Sequence, residues 1–182
     1  RKVRRDHPQV RFRLVGWLDD SPSSITQAEV DGWVNEGTVE FLGRLEDVRP
    51  AIAQSTVFVL PSYREGTPRT VLEAMAMGLP VICTHHVNQR SIVKEGIFID
   101  MSKAGALTAA LRNADRKKLA ELGRQGRLNA EKFYDLELLK QQYIRRYEAM
   151  SNSPVNLQNY TLGSKLAANG KNLTRQIRRL FS

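Results

Sequence analysis

Residues 57–84 read VFVLPSYREGTPRTVLEAMAMGLPVICT, and this stretch decides the fold class. Val57 to Leu60 (VFVL) is apolar at every position, as expected of a strand buried on both faces of a parallel sheet. Pro61 to Gly66 turn the chain. Thr67 is a good helix N-cap and Pro68 suits the first helical position, so a helix is expected to run from Pro68 to Met77, closed by Gly78 and Pro80. Val81 to Thr84 (VICT) is a second apolar, β-branched run. Strand, helix and strand in this order form one βαβ unit, which requires parallel strands.

The alternation continues on both sides. Val10 to Val15 (VRFRLV) reads as a strand ending at Gly16, and Ile25 to Val34 has helical spacing that stops near Gly37. Val39 to Leu42 (VEFL) is the next strand, followed by Gly43. Asp47 to Gln54 is a short helix with Pro50 in its first turn, and Ile97 to Ile99 is a last short strand. The pattern predicts an α/β fold: a Rossmann-like parallel sheet with flanking helices. From Ala104 it becomes purely helical, with amphipathic segments over 104–113, 116–132 and 135–150. Leu107, Leu111, Leu119 and Leu122 take core-facing positions and Asp135 caps the third segment. Phe133, Tyr134, Tyr143 and Tyr147 are expected to pack. Residues 151–160 (SNSPVNLQNY) read as a linker to a helical extension over 161–182. The first residues, RKVRRDHP, read as the end of a helix stopped before Pro8. With Arg1 in place of Met, the chain is expected to be a piece of a longer one.

Composition excludes several classes. Of 182 residues, 41% are hydrophobic and 26% charged, the balance of an ordered globular protein. No apolar run approaches the ~20 residues of a membrane-spanning helix. The single cysteine, Cys83, permits no intramolecular disulfide and no cysteine-based zinc site; in its apolar strand it reads as a small buried hydrophobe. The net charge of +9 points at first to nucleic acid or an anionic membrane. Yet residues 1–13 and 151–182 each carry +5 while residues 14–150 carry −1. A neutral body with basic ends, lacking zinc-finger spacing or an RNA-recognition aromatic signature, disfavours nucleic acid.

The chemistry concentrates in the loop after VFVL. In open α/β sheets, ligands bind outside the carboxyl ends of the strands, and the first amides of a helix there face an anion such as a diphosphate. Arg69 and Thr70 offer those amides, and Gly66 allows close backbone approach. Two carboxylates flank the site, Glu65 in the turn and Glu73 two helical turns into the helix. Beside a phosphate cradle they would repel, so they accept hydrogen bonds from sugar hydroxyls, one at each end of a nucleotide sugar.

Within PSYREGTPRTVLEAMAMGLPVI, the E-x7-E pair of Glu65 and Glu73 resembles the donor motif of the retaining GT-B glycosyltransferases of family 4 that build capsular and surface polysaccharides. FLGRLEDVRPAIAQSTVFVLPS extends the resemblance upstream, and residues 101–150 resemble the closing helices of the same domain. An isolated E-x7-E would mean little; the surrounding sequence gives it weight. The resemblance implies that 1–150 is a nucleotide-sugar-binding domain, incomplete at its amino end. It implies that Glu65 meets the transferred hexose as the catalytic-site carboxylate, and that Glu73 meets the ribose. The backbone at Gly66, Thr67, Arg69 and Thr70 would meet sugar and diphosphate. Gly43, Arg44 and Leu45 would lie beside the base, with Gly16 near it. Transfer would proceed with retention from a UDP- or GDP-sugar, UDP preferred, without metal or other cofactor, to a glycan or lipid-linked acceptor. The isolated chain would be inactive.

Departures from the family pattern fall in 85–100. His85, His86, Val87, Asn88 and Gln89 replace a glycine-rich turn, Ser91 stands at a usual acid, and the loop around Gly96 is short. His85 and His86 read as a polar loop, because no third metal ligand has a suitable spacing. Arg64 reads as a solvated surface residue. Trp17 and Trp33 read as packing residues, although Trp17, following Gly16 at a strand end, also borders the expected cleft. In 161–181, Leu162, Leu166, Leu173, Ile177 and Leu180 oppose Lys171, Arg175, Arg178 and Arg179, a basic amphipathic form suited to an anionic membrane. A cytoplasmic protein, peripheral on the inner face of the plasma membrane, is expected. Two other readings stay open: a non-catalytic membrane- or nucleic-acid-docking module, and half of a sugar-nucleotide epimerase.

Overall fold

The computed structural model describes residues 1–19, 24–63, 65–85 and 87–152. They fall into one compact unit, Arg1–Leu128, and a second that begins at Asn129. The linker and basic tail expected beyond residue 152 lie outside the described residues, as do Arg64 and His86.

In the first unit, helix α1 (Lys2–Asp6) leads to strand β1 (Arg13–Val15), followed by α2 (Gln27–Asn35) and β2 (Glu40–Gly43). Then come α3 (Arg49–Ala53), β3 (Phe58–Leu60), α4 (Arg69–Ala76), β4 (Val81–Thr84), α5 (Val87–Ile92), β5 (Ile97–Ile99) and α6 (Ala106–Arg112). Helix α7 (Arg116–Tyr134) crosses into the second unit, which also holds α8 (Leu136–Asn152). The alternation is the one the sequence predicts, with ends shifted by a few residues. Helix α5 begins at Val87, inside the stretch where the family pattern has a glycine-rich turn.

Every strand pair is parallel. β1 pairs with β2 (Leu14 opposite Phe41), with a shift of register between Leu14 and Val15. A second sheet runs β3-β4-β5, with Leu60 opposite Cys83 and Cys83 opposite Phe98. Central β4 is buried at all four positions, whereas the residues of β3, at the sheet's edge, are only half-buried. The expectation that VFVL lies buried on both faces is therefore wrong for the strand before the loop and right for VICT. Burial follows a strand's place in the sheet, which an apolar run does not encode.

Local signals account for the ends. Thr26 and Glu29 form a reciprocal capping box at the start of α2. Asp135 accepts the Leu138 amide at 2.9 Å, as expected of the cap of α8. The core behind β3 and β4 gathers Ile52, Ala74 and Leu79, and Val71, Met75 and Ile82 are fully buried nearby in sequence. Of the leucines assigned to the core, Leu119 is buried while Leu107, Leu111 and Leu122 are half-buried. Of the aromatic residues expected to pack in the second unit, Tyr134 is half-buried. Phe133, Tyr143 and Tyr147 are exposed, on helix faces that no described element covers.

Three of the amino-terminal cations are paired. Arg1 donates two hydrogen bonds to Glu36, at 2.7 and 2.8 Å, and Arg11 and Arg13 both reach Glu40. Arg112 pairs with Asp6 of α1.

Candidate functional site

β3 and β4 end side by side, so the loops after Leu60 and after Thr84 leave the same edge of the sheet. The Thr84 hydroxyl joins them: its Oγ lies 2.6 Å from the Ser62 carbonyl oxygen and 2.9 Å from Oε1 of Gln89 on α5. Glu65 sits half-buried in the turn that follows, with Gly66 and Thr67 exposed beside it.

Helix α4 opens differently from expectation. Pro68, not Thr67, is the N-cap, at φ −72° and ψ 95°, and no side chain caps the first turn. Pro68 itself keeps an extended ψ, so the half-helical position falls on it and the first helical residue is Arg69. The Pro68 carbonyl accepts the amides of Val71 at 3.0 Å and Leu72 at 3.4 Å. The amides of Arg69 and Thr70 precede the first helical acceptor and lie at the positive end of the helix dipole. Pro68, Val71, Ala74 and Met75 are buried; Arg69, Thr70 and Glu73 are exposed on the opposite face. With the helix starting at Arg69, Glu73 stands about 6 Å along it, one turn in and not two.

A Cβ at Gly66 would meet nothing within 4 Å, and the residue is not among the glycines with positive φ. The chain itself does not require glycine there; the side facing that Cβ is open.

A second group of expected residues gathers at the carboxyl ends of β1 and β2. Gly16 donates its amide to the Gly43 carbonyl at 2.9 Å, and Gly43 has φ +65°, a conformation other residues rarely adopt. Arg44 follows, with its guanidinium 5.3 Å from the ring centre of Trp17. Trp17 is 73% exposed, so it is not a packing residue. Leu45 is half-buried. A signal for this pair was present in the sequence: each residue directly follows a glycine that ends one of two successive strands.

Beyond β4, His85 is exposed and stacks on Phe98, ring centres 5.7 Å apart, while the Arg90 guanidinium lies 5.0 Å from the same ring. Among the described residues, no three of His, Cys, Asp and Glu come together as a metal site would require. Burial pushes the Cys83 thiol up to about 11, leaving little nucleophilic thiolate at neutral pH.

Parallel strands with intervening helices, and a helix terminus with unpaired amides at the carboxyl edge, define a Rossmann-like α/β protein. The family described as "Glycosyl transferases group 1" matches residues 1–121, and the chain belongs to it. The chain is 30% identical over 145 residues to an N,N'-diacetylbacillosaminyl-diphospho-undecaprenol alpha-1,3-N-acetylgalactosaminyltransferase of Campylobacter jejuni. That match covers 77% of this chain and 37% of the relative. It is 30% identical over 111 residues to O-antigen chain mannosyltransferase B of Escherichia coli, covering 59% of this chain and 28% of the relative. The chain thus spans well under half the length of these relatives. Among solved structures it resembles a sucrose-phosphate synthase of Thermosynechococcus elongatus, with TM-score 0.69 and 26% identity over 82% of this chain and 40% of the other. It also resembles Anabaena HepE, solved with UDP and glucose, with TM-score 0.63 and 22% identity over 78% of this chain and 41% of the other. The fold is that of one half of a GT-B glycosyltransferase.

Proposed function

We propose that this chain is the donor-binding half of a retaining, family 4 glycosyltransferase that moves a hexosyl group from a UDP-sugar to a glycan acceptor. The observation that carries the reading is the opening of α4, where the amides of Arg69 and Thr70, which have no intrahelical acceptor, follow Glu65 in the preceding turn and precede Glu73 one turn on.

The diphosphate would lie against the Arg69 and Thr70 amides, where the helix dipole favours anionic charge. Glu73, on the exposed face of α4, would accept hydrogen bonds from the ribose, and Glu65 from the hexose. The turn at Gly66 and Thr67 would complete the sugar pocket. Gly43, Arg44 and Leu45, with Gly16, would border the base. In transfer, the acceptor hydroxyl oxygen forms a bond to the anomeric carbon as the bond to the diphosphate oxygen breaks. The electron pair leaves on the nucleotide diphosphate, and the acceptor's hydroxyl proton passes to an oxygen of that leaving diphosphate. Amides held rigidly by α4 stabilise that developing charge without having to reorganise.

The relatives support the substrate class: one is named for a diphospho-undecaprenol-linked acceptor, and one neighbouring structure holds UDP and glucose. If the acceptor is lipid-linked, it and the basic segment 161–181 would bring the protein to the inner face of the plasma membrane. Calorimetric titration of the chain tests the donor preference. Weak, saturable heat with UDP, smaller with GDP and none with ADP, is expected, and no heat with UDP would overturn the reading. Without an acceptor domain the chain is expected to transfer no sugar.

A further inference from the structure

Gln89 is a buried polar side chain that the donor reading leaves unused. It is fully inaccessible, on α5 directly beyond β4, and its Nε has no hydrogen-bond partner as the amide is oriented. Its Oε1 lies 2.9 Å from the Thr84 hydroxyl, which lies 2.6 Å from the Ser62 carbonyl oxygen. A hydroxyl has one hydrogen and cannot donate to both oxygens. The Ser62 carbonyl can only accept, and it stands at the shorter distance, so it takes the hydrogen. The Thr84 oxygen then needs a donor, and rotating the Gln89 amide by half a turn supplies one. Amide oxygen and nitrogen are told apart by the hydrogen-bond network. The result is a relay in which the Gln89 N–H donates to Thr84 Oγ and the Thr84 O–H donates to the Ser62 carbonyl.

We propose that Gln89 is a positioning residue, acting through Thr84 to fix the Ser62 carbonyl and so set the turn that carries Glu65. Three elements meet in this relay: the exit of β3, the end of β4 and the helix α5. Ser62 lies three residues before Glu65 and six before Pro68, so a displacement at its carbonyl is transmitted to the carboxylate and to the entry of α4. Gln89 and Thr84 are both buried, so water does not compete for the bond between them. The role as a donor-site residue rests on the reading of Glu65 as a sugar contact; the relay itself does not.

The experiment compares the full chain with Gln89→Leu, Thr84→Val, Thr84→Ser and the Gln89→Leu/Thr84→Val double variant. Amide hydrogen exchange is followed by NMR, and UDP-glucose binding by titration. Loss of either member should speed exchange at 62–66 about tenfold, leave β1 and β2 unchanged, and weaken UDP-glucose about tenfold. The double variant should match either single one, because both break the same relay. Thr84→Ser, which keeps the hydroxyl, should behave as wild type. Unchanged exchange at 62–66, a uniform rise across the protein, or additive effects in the double variant would each overturn the proposal. Faster exchange at 62–66 in a chain that never binds UDP-glucose would sink the donor reading and leave the relay standing. Faster exchange at 62–66 with normal UDP-glucose binding in both single variants would leave the relay standing and overturn its part in positioning Glu65.

Discussion

A Cβ added to Gly123 would stand 2.2 Å from the carbonyl oxygen of Gly78, so α7 touches the chain beyond α4 backbone to backbone. One turn along α7, a Cβ at Gly126 would meet Met75 Cγ at 3.5 Å, an ordinary contact. The two glycines therefore predict opposite signs. Gly123→Ala should destabilise by about 1–3 kcal/mol, since the obstacle is backbone and cannot swing aside. Gly126→Ala should be neutral or stabilise by up to about 1 kcal/mol through helix propensity. Urea unfolding of the two variants measures both, and a neutral Gly123→Ala would mean that α7 does not approach so closely.

Glu65 and Glu73 should separate in a binding assay. If Glu73 holds the ribose, Glu73→Ala weakens UDP and UDP-glucose alike, by about tenfold for one charged hydrogen bond. If Glu65 holds the hexose, Glu65→Ala weakens UDP-glucose by a similar factor and leaves UDP unchanged. Equal losses for both ligands from both variants would contradict the assignment.

Arg44 over Trp17 gives an optical readout. In a Trp33→Phe background the emission comes from Trp17 alone. Removing the guanidinium by Arg44→Ala should make that ring more accessible to a neutral quencher such as acrylamide. Stability should change by less than about 0.5 kcal/mol, because the site is exposed. Unchanged quenching would show that the stack does not form in solution.

Several surface carboxyls are held below their ordinary range. Glu29 is lowered chiefly by the Thr26 amide, Glu36 by Arg1 and Glu40 by Arg11. Glu121 is lowered to about 2 by Arg124 and then Gln125. A carboxyl with a depressed folded-state value stabilises the fold above its unfolded value and loses that contribution as pH falls. The melting temperature should therefore decline from the ordinary glutamate value of 4.5 toward about 2. All four groups are exposed, so added salt should flatten the decline in the pairs with arginine. A melting temperature that rises on acidification would contradict these pairings.

The fold was legible because its signals are local. Apolar runs marked β3 and β4, and Gly43, Gly78 and Asp135 marked ends where they were expected. What escaped depends on the third dimension. The half-burial of β3 follows from its edge position, which VFVL alone cannot report. Helix α5 escaped because HHVNQRSI lacks helical periodicity, and its buried member is a glutamine. Thr67 has the chemistry of a cap, but Pro68 keeps an extended backbone and the helix starts one residue later. Of the candidate site, the loop and the opening of α4 were readable. Trp17 and Arg44 could be placed at the ends of two successive strands but not stacked, and the Gln89 relay could not be read, because each contact joins side chains from different elements.

The central claim is that the free amides at the start of α4 hold the diphosphate of a nucleotide sugar. It is tested most directly by amide NMR of the full chain during titration with UDP and, separately, with uridine. Saturable shifts are expected at Arg69 and Thr70 with UDP only, and at Gly43 to Leu45 with both ligands. Saturation by UDP with Arg69 and Thr70 unmoved would contradict it.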